Sequence, residues 1–184
     1  MKLFRKLSRL IPDRIYLQIV YFKHFRRFIN FNNPKTFNEK IQWLKLNYRN
    51  EEYTKLVDKY RVKQYITKLI GEEYVIPTLG VWNNVDDIDF KSLPEKFVLK
   101  CNNDSGGIVI CKNKKDFDEV KAKKFLKERL KNNGYWYGRE WPYKNVEPCI
   151  IAEKYMEDSS SKDLKDYKFF CFNGSMKFFN IDID

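Results

Sequence analysis

The spacing of apolar residues changes near residue 71 from a helical to a strand-like period, and this change restricts the chain to a mixed architecture. Before Gly71, apolar residues recur three and four positions apart in two stretches, 37–47 and 51–70, which predicts two helices. A lysine-rich amphipathic stretch at 117–131 predicts another helix. Short apolar runs between polar turns predict strands at 74–77, 79–82, 97–100, 108–111, 149–155, 167–172 and 176–183. The predicted fold class is therefore α+β, a helical first part followed by antiparallel sheet.

These segments divide the chain into four predicted parts. They are a basic helical segment, 1–32; a subdomain of helices and short strands, 33–94; a small lobe with a glycine loop, 95–150; and the start of a larger lobe, 151–184. The larger lobe holds a hydrophobic hairpin across Asn173-Gly174 that has no predicted partner element. We expect this hairpin to be covered either by sheet that continues beyond residue 184 or by another subunit of an oligomer.

The chain carries 36 Lys and Arg residues against 25 Asp and Glu residues, and the excess is concentrated at the N-terminus. Residues 1–30 contain eight basic residues and one acidic residue, Asp13. Apolar residues at helical spacing between positions 3 and 11 make the opening turns amphipathic, so they can lie on anionic lipid or pack on the domain as a solvated surface helix. Because the basic excess does not follow a recognisable RNA-binding sheet, nucleic acid is the least favoured partner.

Composition also limits the chemistry. The single histidine, His24, argues against histidine-based triads and multi-histidine zinc sites. The four cysteines include no close pair of the zinc or thioredoxin type, so we interpret them as reduced, buried thiols of a cytoplasmic protein. No uninterrupted apolar run reaches about 18 residues, so no membrane-spanning helix is predicted. Any catalysis must therefore depend on Lys, Asp, Glu or a bound metal.

Lys100 and the loop after it lie between two predicted strands. Small residues such as Ser105, Gly106 and Gly107 let backbone amides approach a polyphosphate, and a lysine at the end of the preceding strand adds a fixed positive charge. This pattern is typical of a phosphate clamp, although the lysine precedes the glycines and the loop is therefore not a Walker loop. The same composition is typical of a simple hairpin turn, which the loop alone favours.

Two later segments carry residues suited to a nucleotide. An apolar strand at 150–152 runs into Glu153, Lys154 and Tyr155, which could give a purine its apolar face and edge hydrogen bonds, or could simply emerge at the surface. On the next strand, alternation places Asp166 and Lys168 on one face. They could hold ribose and phosphate, or form a surface ion pair of little energetic value.

The aromatic segment 135–141 has two interpretations. Exposed rings beside Arg139 could stack on sugars while the guanidinium pairs with a uronate carboxylate in bidentate fashion. Alternatively, the rings form a small core beneath a long loop.

Three segments resemble the TupA-like ATP-grasp family: NPKTFNEKIQWL at 33–44, GREWPY at 138–143 and DYKFFCFNG at 166–174. The resemblance runs from about residue 15 to the last residue. It implies an ATP-grasp fold whose C-terminal lobe is incomplete in this chain. It also implies ATP-dependent joining of a carboxylate to an amine through an acyl-phosphate, in bacterial cell-wall or capsular polysaccharide synthesis. Teichuronopeptide assembly is the founding example, and relatives are often labelled glycosyltransferases.

The resemblance also implies a set of nucleotide-binding residues. Lys59 and Lys100 would hold the α and β phosphates of ATP, and the loop 105–107 would fold over them. The remaining implied contacts are Glu153, Lys154 and Tyr155 with the adenine, Asp166 with the ribose, and Lys168 with a phosphate.

Two departures from the family limit what the resemblance implies. Relatives often have histidine where this chain has Asn103, so any contact made by that imidazole is lost or changed. The magnesium ligands of the fold would lie beyond Asp184, and neither Asp182 nor Asp184 is assigned to metal. The implied cofactors are therefore ATP and Mg²⁺ with an incomplete metal site. The alternative to a ligase, itself expected to be truncated, is a non-catalytic remnant that binds nucleotide or glycan.

These features together predict where the protein acts and on what. We expect a cytoplasmic protein, held peripherally at the inner face of an anionic membrane by its basic N-terminus. Its expected ligands are a nucleotide and a saccharide or uronic-acid-containing substrate.

Overall fold

The structure of the chain is a computed structural model that describes residues 8–157 and 165–183. The helices are α1 (Asp13–Phe25), α2 (Phe37–Asn47), α3 (Glu52–Val57), α4 (Arg61–Ile70), α5 (Glu119–Leu130) and α6 (Tyr135–Gly138). The strands are β1 (Thr78–Trp82), β2 (Phe97–Cys101), β3 (Ile108–Cys111), β4 (Ile150–Lys154), β5 (Lys165–Phe172) and β6 (Ser175–Ile183). The predicted α+β class is confirmed. The amphipathic turns expected before residue 8 lie outside the described residues.

Helix α2 begins with a reciprocal cap. The Glu39 carboxylate accepts hydrogen bonds from the amides of Thr36 and Lys35, each at 2.9 Å, and the Glu39 amide donates to the Thr36 hydroxyl at 3.4 Å. These bonds satisfy amides that have no partner inside the helix. The hydrogen bonds from Thr36 and Lys35 lower the pKa of Glu39. The predicted helix at 37–47 is therefore confirmed, with its start where the sequence places it.

The single helix predicted over 51–70 is wrong, because the chain breaks at residues 58–60 and forms α3 and α4 instead. The Asp58 carboxylate accepts hydrogen bonds from the amides of Tyr60, at 2.9 Å, and Arg61, at 3.3 Å. An aspartate that binds the amides two and three residues ahead competes with helix continuation. The break places Lys59 in the α3–α4 joint rather than on a helix face.

Strands β1 to β4 form one antiparallel sheet in the order β1-β4-β2-β3. The predicted hairpin of β2 and β3 is confirmed, with Lys100 opposite Ile108. Of the two short strands predicted at 74–77 and 79–82, the second is confirmed as β1, which pairs with β4, and the first is wrong, because no strand forms at 74–77. The sheet therefore extends beyond the predicted small lobe, 95–150, because β1 precedes this segment in the sequence and most of β4 follows it.

One face of this sheet carries the main core. Side chains of β2 and β4 pack there with Leu126 of α5 and with the segment 85–93. The buried members of this core include Phe97, Leu99, Ile150, Ala152, Val85, Ile88 and Phe90. A second, smaller cluster joins Leu17 and Tyr21 of α1 to Ile29 and Phe31. The N-terminal helix thus has a core of its own.

Strands β5 and β6 form a separate two-stranded sheet. Asn173 and Gly174 have φ values of 49° and 75°, as a two-residue hairpin turn of the primed type requires. Every residue of β5 is exposed, including Cys171, which the sequence interpretation had placed among buried thiols. The other three cysteines are buried and free, and burial raises the pKa of Cys101 to about 12. Among the described residues, no helix has the length and apolar character needed to span a bilayer.

Candidate functional site

The face of the four-stranded sheet opposite the main core brings together Lys100 and Glu153. Alternation along β2 and β4 turns both side chains away from that core. In the β2–β4 register Val98 lies opposite Glu153 and Lys100 opposite Ile151, so Lys100 and Glu153 are diagonal neighbours. The Lys100 ammonium lies 2.6 Å from one carboxylate oxygen of Glu153.

Glu153 also receives a second lysine. The Lys63 ammonium lies 2.5 Å from its other carboxylate oxygen and donates a hydrogen bond to the Ile76 carbonyl at 2.6 Å. The Glu153 side chain is only 5% exposed. Burial alone would raise the pKa of Glu153, but the hydrogen bonds from Lys100 and Lys63 outweigh it and lower the pKa overall. Glu153 is therefore an ionised carboxylate shared by two ammonium groups.

Lys63 was not predicted as a site residue. Its position four residues after Lys59 was visible in the sequence, but the spacing alone did not distinguish it from a solvated helix position. Its role depends on α4 lying against the edge of the sheet, where Lys63 also lines an open cavity of about 910 Å³. The cavity lies between α4 and the segment that leads into β1, and its wall includes Tyr60, Gln64 and Pro77.

Lys59 lies beside the start of the glycine loop. Its ammonium donates hydrogen bonds to the carbonyl of Cys101, at 3.2 Å, and to the carbonyl of Asp104. Burial lowers the pKa of Lys59, Asp104 opposes the decrease, and the nearby positive charge of Lys100 adds to it. The structure therefore brings Lys59 and Lys100 close enough to repel each other.

The α3–α4 joint is fixed to the loop through Asn102. Its side-chain amide donates to Asp58 at 3.1 Å and to the Glu147 carbonyl at 2.9 Å, and its oxygen accepts from the Cys149 amide at 2.8 Å. Asp58 and Asn102 are both buried, so these bonds are shielded from water. This network positions Lys59 over the end of β2. No periodic signal in the sequence indicated it.

The backbone amides of the glycine loop are not free to bind a ligand, because they already donate hydrogen bonds within the loop. The Asp104 carboxylate accepts hydrogen bonds from the amides of Gly106, at 2.8 Å, and Gly107, at 2.5 Å, and lies 2.8 Å from Nε of Arg129 on α5. Ser105 is exposed at the tip. A side chain at Gly107 would put Cβ 2.8 Å from Cβ of Cys101, so the close approach requires glycine. Phosphate could reach these amides only after Asp104 releases them.

Asn103, the loop position at which the sequence departs from the family resemblance, points toward the end of α5. Its amide nitrogen donates to the carbonyls of Leu130, at 3.3 Å, and Asn132, at 2.5 Å. In the part of the chain that the structure describes, its buried oxygen has no hydrogen-bond partner. Asn103 therefore anchors the loop to the end of α5.

The remaining predicted nucleotide residues lie at two places. Lys154 and Tyr155 follow Glu153 directly, and the Lys154 amide donates to the Pro77 carbonyl at 3.0 Å. Asp166 and Lys168 lie on the separate β5–β6 sheet, where Lys168 pairs with Asp182. The structure thus brings together Lys59, Lys100 and Glu153 and places the β5 residues in another sheet.

Arg139 is a buried residue, which supports the core interpretation of the aromatic segment. Its guanidinium is fully buried, with the ring of Tyr16 at 4.3 Å and that of Trp136 at 4.7 Å. It donates to the Ser8 carbonyl and lies 3.4 Å from Asp13. Arg139 therefore ties the N-terminal segment to the aromatic segment.

The described carboxylates do not fit a magnesium ion. Within residues 8–157 and 165–183, no group of three or more His, Cys, Asp and Glu side chains could hold a metal. Asp182 is already engaged by the Lys168 ammonium and by the Asn180 amide, at 3.2 Å. We therefore derive no metal-dependent step from these residues.

The profile of the TupA-like ATPgrasp family matches residues 39–184. The chain belongs to the TupA-like ATP-grasp family. The resemblance seen in the sequence is thereby confirmed, and membership in the TupA-like ATP-grasp family implies that the protein binds ATP. Searches of curated proteins and of solved structures found no match.

Proposed function

We propose that this TupA-like ATP-grasp protein binds ATP on the open face of its four-stranded sheet and joins a carboxylate to an amine. The observation that carries the proposal is the pair of ammonium groups, Lys63 and Lys100, on the buried Glu153 carboxylate, with Lys59 near Lys100. Two ammonium groups share one buried carboxylate, which leaves an excess of positive charge. A triphosphate would neutralise that excess.

The same sheet face offers a surface for the adenine ring. In the β2–β3 register, Ile108 lies opposite Lys100 and Ile110 lies opposite Val98. Both isoleucines are exposed. A planar purine binds apolar side chains on its faces and polar groups at its edge. In this proposal a phosphate of ATP replaces Glu153 as the ion-pair partner of Lys100. Glu153 then keeps its ion pair with Lys63, and its other carboxylate oxygen can accept a hydrogen bond from the edge of the adenine.

The glycine loop has to change for the phosphates to reach it. The amides of Gly106 and Gly107 are held by the Asp104 carboxylate, which occupies the position that a phosphate oxygen would take. Phosphate binding would therefore exchange one anion for another at these amides. Bound ATP would transfer its γ-phosphoryl group to the carboxylate substrate and leave as ADP, and the amine would then displace inorganic phosphate from the acyl-phosphate. The lysines would hold the polyphosphate in place.

For the wider role we propose the assembly of a cell-surface polysaccharide, with a saccharide or uronic acid as the carboxylate substrate. The family supports this role. The three buried, free cysteines support a reducing cytoplasmic location.

The proposal is tested by calorimetric titration of the full chain with ATP, followed by an assay of ADP release with uronic acids and amines. We expect micromolar ATP binding, weaker binding of inorganic triphosphate, which lacks the adenine, and ADP release that requires both substrates. Absence of ATP binding would refute the site. ATP binding without ADP release would retain the site but refute the ligase, leaving a module that holds nucleotide. Release of a nucleoside diphosphate from a nucleotide sugar, without ATP, would indicate a glycosyltransferase.

A further inference from the structure

Helix α1 presents an apolar ridge to solvent. Ile15, Ile19 and Phe22 are spaced four and three residues apart, which places them on one helix face, and they are 52%, 52% and 39% exposed. The opposite face of α1 is buried through Leu17 and Tyr21. The ridge is therefore not needed to close the small N-terminal core.

The ridge extends beyond the end of the helix. The ring of Phe28 stacks on Phe22 with centroids 4.8 Å apart and is 68% exposed. Burial of Ile29 and Phe31 in the small core fixes the segment that carries Phe28 against α1. Four large apolar side chains thus form one continuous exposed surface, which we call the α1 ridge: Ile15, Ile19, Phe22 and Phe28.

The side chains around the α1 ridge are cationic. Arg14 and Lys23 flank it on the helix, and Arg26 and Arg27 lie between Phe22 and Phe28, all of them exposed. The one acidic residue of α1, Asp13, is engaged elsewhere: it accepts a hydrogen bond from the Tyr135 hydroxyl and pairs with Arg139. The acidic residue of the next helix, Glu39, is buried in the α2 cap, where it interacts with one of these cations, Arg27.

An exposed apolar ridge with a cationic border has the chemistry of a helix that lies in a membrane interface. Its apolar side chains would enter the acyl boundary while the lysine and arginine side chains meet anionic headgroups. A protein groove would bury the ridge equally well but would not by itself call for a border of like charges. We propose that the α1 ridge docks this protein on the surface of an anionic lipid bilayer.

The docking surface is separate from the proposed nucleotide site. The residues of the α1 ridge belong to the helix with the small N-terminal core, whereas Lys100 and Glu153 lie on the four-stranded sheet. Substitutions in the ridge are therefore expected to leave ATP binding unchanged.

The test is co-sedimentation of the full chain with vesicles of phosphatidylcholine, with or without phosphatidylglycerol. We expect binding to the anionic vesicles only, weakened by added salt. The double substitution Ile19→Asp with Phe22→Asp should reduce binding at least about tenfold, since it removes apolar burial and adds like charge. Its matched control is Val120→Asp, at an apolar residue of α5 that is 79% exposed. That variant should bind as the parent does.

A charge substitution tests the cationic border and leaves the apolar side chains of the α1 ridge unchanged. Lys23→Glu should weaken binding several-fold, whereas Lys124→Glu, at an exposed lysine of α5, should have a smaller effect. Circular dichroism shows whether each variant retains its helices. Equal binding to neutral vesicles, or unchanged binding of the folded double variant, would overturn the proposal. So would self-association through α1 in the absence of lipid binding.

Discussion

Replacing Lys100 by alanine is expected to weaken ATP binding about 30-fold or more. Truncating one member of a shielded charge pair costs 2–5 kcal/mol or more, and about 1.4 kcal/mol corresponds to a tenfold change in affinity. Lys100 lies beside Lys59 and contacts Glu153 at 2.6 Å, so its loss removes positive charge from the centre of the site. The measurement is calorimetric titration of ATP into the parent and variant proteins.

The matched control is Lys112→Ala, at an exposed lysine one residue beyond β3. This substitution removes one positive charge from the same sheet but leaves Lys63, Lys100 and Glu153 in place. The affinity for ATP should stay within about twofold of the parent value, because exposed charges are screened by salt. Lys63 still neutralises Glu153 in the Lys100→Ala variant, so the fold should persist, as thermal unfolding would show. Equal ATP affinities for Lys100→Ala and the parent would contradict the proposal that Lys100 binds ATP.

Replacing Glu153 by glutamine is expected to lower the free energy of unfolding by about 3 kcal/mol at neutral pH. Removal of one partner from a buried ion pair typically costs about 3–5 kcal/mol, because the remaining charge loses its counter-ion. Two ammonium groups would lose theirs here, although the Lys63 and Lys100 side chains remain 14% and 26% exposed, which favours the lower end of the range. Urea unfolding followed by circular dichroism measures the difference.

The effect of Glu153→Gln should depend on pH in a defined direction. The pKa of Glu153 in the folded protein lies below its ordinary value of 4.5. Its contribution to stability is therefore fully present above the ordinary value and is lost as the pH falls through the lowered, folded-state pKa. The difference between parent and variant should accordingly shrink in acid.

The control for this variant is Glu157→Gln. Glu157 lies 2.7 Å from Lys96, but both side chains are about half exposed, so the pair should contribute at most about 1 kcal/mol. A loss of stability for Glu153→Gln no larger than that for Glu157→Gln would contradict the assignment of Glu153 as a buried counter-ion.

The sequence predicted the elements whose signals are local. The α2 start depends on Thr36 and Glu39, three residues apart, and the β5–β6 hairpin depends on Asn173-Gly174, a dipeptide suited to positive φ. Both are confirmed. The α3–α4 break was missed because apolar spacing continues across it, while the competing hydrogen bonds come from a single side chain, Asp58.

The site was less predictable because its geometry depends on contacts between distant segments. Lys63 reaches Glu153 across 90 positions of the sequence, through the placement of α4 beside the sheet. The hydrogen bonds from the amides of Gly106 and Gly107 to Asp104 were equally unpredictable. The sequence Asp-Ser-Gly-Gly is compatible with a turn whose amides are bonded to Asp104 and with a turn whose amides are free. Burial of Arg139 depends on the N-terminal segment, which lies more than 120 residues away in the sequence.

The most direct test of the nucleotide site is labelling with an acyl-phosphate derivative of ATP, which transfers its acyl group to lysines beside the bound phosphates. Burial lowers the pKa of Lys59, which favours its reactive, neutral form. Mass spectrometry of the peptides should find the label on Lys59 and Lys100, and excess ATP should suppress it. Label spread over other lysines, or label that excess ATP does not reduce, would contradict the proposal that these lysines hold the phosphates of ATP.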